Sequence, residues 1–204
     1  MDVGKVGFKP GLYMAACDEL YLTIIVKGGH AAIPNAYNNP VMLISKLLPK
    51  LESYLESLCD LKSPYVLAFG KLEADGSTNV IPELAKAAGT LRTMNEQWRT
   101  IIHNKLKAFV DEFLSSNNAV GQLEIKKGYP CLKNDEIVTE NCIQRAKKYL
   151  GSENVEILDT RMTAEDFSFF SQKIPSCFFR LGVRNENLGI FHEVHHPKFD
   201  IDKS

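Results

Sequence analysis

The residues best suited to chemistry in this chain include two histidines that stand side by side before a proline. The segment reads Val194-His195-His196-Pro197-Lys198-Phe199. Imidazole nitrogens are common zinc ligands, but a catalytic zinc usually takes three protein ligands. Adjacent rings cannot easily bind the same ion, and the rest of the chain has no His-x-Asp or Cys-x-x-Cys spacing. The sequence therefore predicts either a structural role for these histidines or one ligand of a site completed elsewhere.

Three further polar residues could bind an anion or a polarised oxygen. His30 follows two glycines, Asn79 precedes Val-Ile-Pro, and Arg92 ends the run Gly-Thr-Leu-Arg. Taken alone, these residue types favour a solvated turn histidine, a turn-capping amide and a surface cation. Asn79 and Arg92 are far apart along the chain but could meet at one end of a sheet.

Composition restricts the possible functions of the chain. It has 204 residues, 45% of them hydrophobic, and a formal net charge of −1, which gives no support for nucleic-acid binding. We find no apolar run near the roughly 20 residues that a membrane helix needs. The cysteines are odd in number and dispersed, which favours reduced thiols and a cytoplasmic location. They are Cys17, Cys59, Cys131, Cys142 and Cys177.

Residues 18–128 carry the signals of a complete small domain. Asn39 and Pro40 start a helix whose apolar stripe stays in phase past Pro49, which favours a kink over a break. A second helix follows the capping-box pattern Thr93-x-x-Glu96. The predicted strands cover 20–27, 65–72, 85–92 and 122–127. The order β-α-β-β-α-β predicts a ferredoxin-like α+β domain, with an antiparallel sheet covered on one face by two helices.

The flanking residues resemble parts of a larger α/β domain. We predict a helix over 135–150 with Ile137 facing inward, a strand over 155–158 and a strand over 177–182. Another helix is expected to start near Thr163, because Thr163-x-x-Asp166 has the form of a cap. Two or three strands are too few for an ordinary doubly wound sheet. Residues 1–17 are expected to belong to this same domain.

Five motifs occur in one order and together resemble a known family. The resemblance is to the metal-dependent amidohydrolase branch of the aminoacylase/carboxypeptidase superfamily, which includes N-acyl-amino-acid amidohydrolases and hippurate hydrolases. It covers nearly the whole chain. The motifs are Lys27-Gly-Gly-His-Ala-Ala-Ile-Pro34, Asn79-Val-Ile-Pro82, Gly89-Thr-Leu-Arg92, Thr163-Ala-Glu-Asp-Phe-Ser168 and His195-His-Pro-Lys-Phe-Asp200.

The resemblance implies a domain organisation and cofactors. Residues 1–17 and 129–204 would belong to a catalytic domain, and residues 18–128 would form a lid that mediates homodimerisation. The complete enzyme would hold two divalent ions (zinc, manganese, cobalt or nickel). The family's N-terminal catalytic half, which carries most metal ligands and the general base, is not found in this sequence. We therefore expect a fragment that is inactive and binds no metal ion stably.

The resemblance also implies roles for single residues. His30 would reach across a dimer and donate a hydrogen bond to the oxyanion of the reaction. Asn79 and Arg92 would bind the substrate carboxylate, Glu165 would lie near the substrate pocket, and His195 would be the metal ligand. Asp166 is interpreted as an acid at a helix start and His196 as a residue beside the site or on the surface. Two further histidines, His103 and His192, are expected to face solvent.

The predicted function is hydrolysis of an N-acyl amino acid by the parent protein. A related metallo-carboxypeptidase or dipeptidase is the alternative among enzymes. A non-catalytic dimerisation module built on the ferredoxin-like sheet is the alternative from another class. No nucleic-acid or membrane partner is expected.

Overall fold

The computed structural model describes residues 1–58 and 63–203, and the chain divides into two compact units. The flanking unit comprises Met1–Met14, Leu132–Arg161 and Glu165–Ser204. The insert unit comprises Ala15–Cys131 and Met162–Ala164. The limits predicted from the sequence, residues 18 and 128, lie slightly inside the main segment of the insert unit, Ala15–Cys131. Cys59 lies outside the described residues.

The secondary structure is defined here in chain order for the described residues. The strands are β1 (Val6–Phe8), β2 (Gly11–Met14), β3 (Ala16–Ile25), β4 (Gly29–His30), β5 (Tyr65–Glu73), β6 (Val80–Ile81), β7 (Leu84–Thr93), β8 (Val120–Lys127), β9 (Leu132–Asn134), β10 (Val155–Ile157) and β11 (Arg180–Leu181). The helices are α1 (Pro40–Leu58), α2 (Glu96–Ser116), α3 (Glu136–Leu150) and α4 (Ser168–Ser171). Among the described helices, none combines the length and the apolar content needed to cross a membrane.

The insert unit is built on a four-stranded antiparallel sheet in the order β5-β7-β3-β8. With α1 after β3 and α2 after β7, the chain follows the β-α-β-β-α-β order, which confirms the ferredoxin-like prediction. Alternate residues of β3 are buried, among them Leu20, Leu22 and Ile24, as expected for a sheet with one covered face. These side chains pack with the apolar faces of α1 and α2 in one core.

Helix α1 begins at the position predicted from the sequence. The Asn39 side chain accepts hydrogen bonds from the backbone N–H groups of Val41 (3.0 Å) and Met42 (3.2 Å), and Pro40 is the first helical residue. The helix continues through Pro49 to Leu58 without a break.

The predicted capping box at the start of α2 is wrong. Asn95 caps the helix by accepting from the N–H groups of Gln97 and Trp98. Thr93 still belongs to β7, so its hydroxyl is not at the helix end. The Glu96 carboxylate binds Arg99 instead of the capping backbone.

The flanking unit contains two small sheets. In one, β1 pairs with β10 in parallel and with β11 antiparallel; in the other, β2 pairs with β9. Helix α3 is capped by Asp135 and buries Ile143 against Val6 and Phe8. The prediction that Ile137 faces inward is wrong, because its side chain is 75% exposed. Ile137 lies six residues before the buried Ile143, which places it on a different face of the helix.

The helix predicted from Thr163 is also wrong, since α4 covers only Ser168–Ser171. The Thr163 carbonyl instead accepts a hydrogen bond from the N–H of Ala15 (3.1 Å). This bond within the insert unit fixes the backbone of residue 163 to a neighbouring segment. The first turn of helical structure forms later, where Ser168 donates to the carbonyl of Glu165.

Candidate functional site

His30 and Asn79 lie together at a small two-stranded sheet of the insert unit. The short strands β4 and β6 pair there, with His30 opposite Val80. The N–H of Ala31 donates to the carbonyl of Asn79 at 3.0 Å. Two candidate residues that are 49 positions apart in the sequence are therefore neighbours in the fold.

The ring of His30 has one nitrogen engaged. The N–H of Ala32 donates to Nδ1 of His30 at 3.1 Å, and the side chain is exposed. A nitrogen that accepts a hydrogen bond carries no proton, so the neutral ring carries its proton on Nε2. The Nε2–H group can therefore donate to an oxygen brought from outside the unit.

The Asn79 side chain and Gly28 complete this end of the unit. The hydroxyl of Ser77 donates to Oδ1 of Asn79 at 3.1 Å, so the amide offers its NH₂ group to a ligand. A Cβ atom at Gly28 would lie 2.6 Å from the carbonyl oxygen of Ile81. Glycine is therefore required where the chain leaves β3 and approaches β6.

Arg92 does not meet Asn79, and the prediction that the two residues share one end of the sheet is wrong. Arg92 lies opposite Cys17 and Val66, near the end of β7. The His30 and Asn79 pair lies beyond Leu84, at the other end of β7. The eight residues from Leu84 to Arg92 alone span roughly 26 Å along the strand. The guanidinium is half-buried, and its Nη1 donates to the carbonyl of Met162 at 3.0 Å.

A buried charge network in the insert unit was missed by sequence reasoning. Arg99 and Asp18 are almost fully inaccessible, at 0% and 1% exposure. The Arg99 guanidinium binds the carboxylate through Nε (2.9 Å) and Nη2, and binds Glu96 through Nη1 (3.1 Å). The expectation that His103 faces solvent is wrong: Nε2 of this residue lies 2.6 Å from Oδ2 of Asp18, and its side chain is 16% exposed.

This network ties together the two chain segments that enter and leave the insert unit. Asp18 accepts from the N–H of Gly128 (3.1 Å), and Glu96 accepts from the N–H of Cys131 (2.8 Å). Burial disfavours ionisation of Asp18, but hydrogen bonds from Arg99 and His103 outweigh it and hold the pKa of Asp18 well below its usual range. The carboxylate of Asp18 is therefore ionised and paired, and its role is structural.

In the flanking unit, His195 is exposed on a turn with φ = 75°. A positive φ is uncommon for a residue other than glycine, and histidine is among the types enriched there. Such backbone conformations concentrate at functional sites. The exposed turn leaves the imidazole of His195 accessible.

Sequence reasoning overlooked a second spacing in this segment, His192-Glu193-x-x-His196. In zinc proteases that pattern lies on a helix, which directs both rings toward one ion. Here the segment forms turns, and the rings of His192 and His196 stack in parallel at 4.1 Å with an interplanar angle of 4°. His192 is half-buried beside Phe191 instead of facing solvent as expected. His196 is exposed, and its Nδ1 accepts from the N–H of Lys198 at 3.1 Å.

Glu165 is half-buried in the turn before α4. Its carboxylate accepts from the N–H of Asp166 at 3.1 Å. The pKa of Glu165 is raised, mainly because the carboxyl is partly buried. The hydrogen bond and the negative charge of Asp166 raise this pKa further. Within residues 1–58 and 63–203, no group of three His, Cys, Asp or Glu side chains is arranged to hold a metal ion.

Comparisons with known proteins identify relatives of this chain. N-acetyldiaminopimelate deacetylase of Brevibacillus brevis is 29% identical over 198 residues, which cover 97% of this chain and 51% of the relative. N-acetyl-L-cysteine deacetylase of Bacillus subtilis is 28% identical over 204 residues, which cover 99% of this chain and 47% of the relative. The chain thus spans about half the length of the curated relatives it matches.

The fold and the family model agree with these relatives. The crystal structure of the Bacillus subtilis YXEP protein, described as a dinuclear metal binding peptidase from the M20 family, superposes with a TM-score of 0.74 at 22% identity. The match covers 99% of this chain and 49% of that one. Residues 1–204 match the model of peptidase family M20/M25/M40, to which this chain therefore belongs.

Proposed function

We propose that the whole protein is a metal-dependent amidohydrolase that removes an N-acyl group from an amino acid. The observation that carries the proposal is the free Nε2–H donor of His30 beside the Asn79 amide, in a chain of this family. Two relatives are named as deacetylases of N-acetylated amino acids. These names favour an N-acyl substrate over a dipeptide.

Each candidate residue has a role that suits its environment. The NH₂ group of Asn79 and the free guanidinium nitrogens of Arg92 would bind the substrate carboxylate. The Nε2–H of His30 would donate to the acyl oxygen as negative charge develops on it, and a donor fixed in advance is effective for this. Glu165, with its raised pKa, is assigned to the substrate pocket.

A second copy of the chain would complete the site. An N-acyl amino acid, about two residues long, spans roughly 7 Å. Within one insert unit, the pair of His30 and Asn79 and the residue Arg92 lie near opposite ends of β7. In a two-fold homodimer formed through the insert, His30 and Asn79 of one copy would meet Arg92 of the other.

Two divalent metal ions are proposed for the whole protein, with His195 as one ligand. Such ions lower the pKa of a bound water and polarise a carbonyl group. We further propose that the 204-residue chain alone is inactive and holds no ion stably, because a catalytic site usually takes three protein ligands per zinc. A cytoplasmic location is proposed from the odd, dispersed cysteines.

A substrate panel tests the proposal. The whole protein, loaded with manganese or zinc, would be assayed with N-acetyl amino acids, N-benzoyl amino acids and dipeptides, beside the 204-residue chain alone. We expect the whole protein to hydrolyse N-acyl amino acids and the chain alone to match the blank. Cleavage of dipeptides alone would replace the proposal with a dipeptidase, and no turnover of any substrate would favour a non-catalytic dimerisation module.

A further inference from the structure

Two cysteine side chains in the flanking unit pack against the same small apolar cluster. Cys142 lies on α3, and Cys177 lies in the segment that leads to β11. Both side chains lie at the edge of the cluster formed by Val6, Phe8 and Ile143, and the Cys142 thiol influences the charge state of Cys177. Both residues are half-buried, so a small solute can reach them.

The backbone holds Cys177 in this position from both sides. The N–H of Asp135 donates to the carbonyl of Ser176 at 2.9 Å. The side chain of Asn134 binds Phe178 twice, accepting from its N–H at 2.7 Å and donating to its carbonyl at 2.9 Å. Both neighbours of Cys177 are thus fixed to the start of α3. The backbone at Cys177 is therefore held beside the start of α3, the helix that carries Cys142.

We propose that Cys142 and Cys177 are a redox-active pair that closes to a disulfide when the protein meets a peroxide. The proposal goes beyond the hydrolase function and does not depend on it. Disulfide formation requires two sulfurs that can approach to bonding distance without a backbone shift. The fixed segment and the shared apolar cluster hold the two side chains as neighbours, which favours such an approach.

The chemistry balances with the peroxide as oxidant. Burial, and then the neighbouring Cys142 thiol, raise the pKa of Cys177, while Thr139 partly opposes the rise. Cys177 is therefore the poorer first nucleophile. The sulfur of Cys142 attacks one peroxide oxygen, the O–O bond breaks, and a sulfenic acid and one water form. The sulfur of Cys177 then forms the S–S bond, the S–O bond breaks, and its proton leaves with the hydroxyl as a second water.

The disulfide would connect α3 to the segment before β11. Cross-linking residues 142 and 177 closes a loop in the unfolded chain, which stabilises the folded unit relative to the unfolded one. The oxidised protein should consequently show a higher Tm, by roughly 5 °C, and the rise should disappear on addition of dithiothreitol. Oxidation would thereby stabilise the flanking unit reversibly.

The test uses the reduced 204-residue chain and hydrogen peroxide. After treatment, the remaining thiols would be alkylated and the protein digested without reduction. We expect one intramolecular disulfide that joins the Cys142 and Cys177 peptides, with a mass about 2 Da below their reduced sum. Cys142→Ser and Cys177→Ser should each abolish it, whereas the control Cys17→Ser should retain it.

Two results would overturn the proposal. One is a sulfinic acid on Cys142 while Cys177 is still fully alkylated. The other is a disulfide that joins either residue to a different cysteine or to a second chain. These products are identified directly in the unmutated protein. The proposal is therefore decided even if a serine variant fails to fold.

Discussion

At the scale of single residues, the buried Asp18–Arg99 ion pair predicts an effect on stability. Asp18→Asn removes the charge that compensates the buried Arg99 guanidinium. Breaking one side of a buried ion pair costs about 3–5 kcal/mol, because an uncompensated charge is left inside. Urea unfolding at pH 7 measures this loss. The matched control is Asp111→Asn on the exposed face of α2, which should change stability by less than about 0.5 kcal/mol.

The same carboxylate predicts how stability depends on pH. The folded pKa of Asp18 is depressed by Arg99 and His103, so its contribution is complete above the unfolded pKa, near 4, and is lost as pH falls below it. The stability difference between the wild type and Asp18→Asn should therefore narrow from about pH 4 downward. Unfolding curves at a series of pH values measure it. A difference that stays constant down to pH 2.5 would contradict the assignment.

His30 makes a catalytic prediction for the whole protein. His30→Gln should lower kcat by about 100- to 1,000-fold if its Nε2–H donates to the developing oxyanion, with a smaller effect on KM. The control is Lys27→Gln, an exposed residue of the same segment, which should leave kcat unchanged. Steady-state kinetics with an N-acetyl amino acid measures both variants. Equal kcat for His30→Gln and the wild type would remove His30 from the mechanism.

Sequence reasoning found residues with local signatures and missed those defined by long-range contacts. Short motifs that contain glycine or proline include His30, Asn79 and Arg92. The Asp18–Arg99 pair bridges 81 positions and carries no local pattern. An arginine on a helix is ordinarily read as a surface charge. Its burial becomes visible only when the fold brings β3 against α2.

At the scale of elements, the caps show what local sequence can and cannot determine. Asn39 is followed directly by proline and a long apolar stripe, so several signals agree and α1 begins where predicted. Thr93 and Thr163 have the right residue type, but their backbones are used by β7 and by a bond to Ala15. Tertiary hydrogen bonds thus override a capping pattern that nothing else supports.

The junction between β3 and β4 makes a prediction about a single glycine. Gly28→Ala would place a Cβ atom 2.6 Å from the Ile81 carbonyl, which forces β4 and β6 apart and displaces His30 from Asn79. We expect lower kcat/KM in the whole protein and faster amide exchange at Ala31. The control is Gly70→Ala, where the new Cβ would meet no atom within 4 Å. Equal exchange in the two variants would contradict the close packing at Gly28.

At the scale of the whole molecule, the chain's topology separates the residues that are proposed to bind one small substrate. Arg92 lies near one end of β7, and the small β4–β6 sheet that carries His30 follows the other end, so the length of β7 separates the two residues. Sequence reasoning could not foresee it, because the motifs give the order of the residues but not the direction in which β7 runs between them. This separation supports the proposal that a second chain completes the site.

This shared site predicts complementation between two inactive variants of the whole protein. In a mixed dimer of His30→Ala and Arg92→Ala copies, one site receives both mutations and the other receives neither. Random exchange of equal amounts gives half mixed dimers, each with one intact site of two, so about a quarter of wild-type activity should return. Mixing after dissociation and reassociation, followed by the N-acyl hydrolase assay, measures the recovery. If each site were built from one chain, every site in the mixture would carry one mutation, and activity would stay at the level of the separate variants.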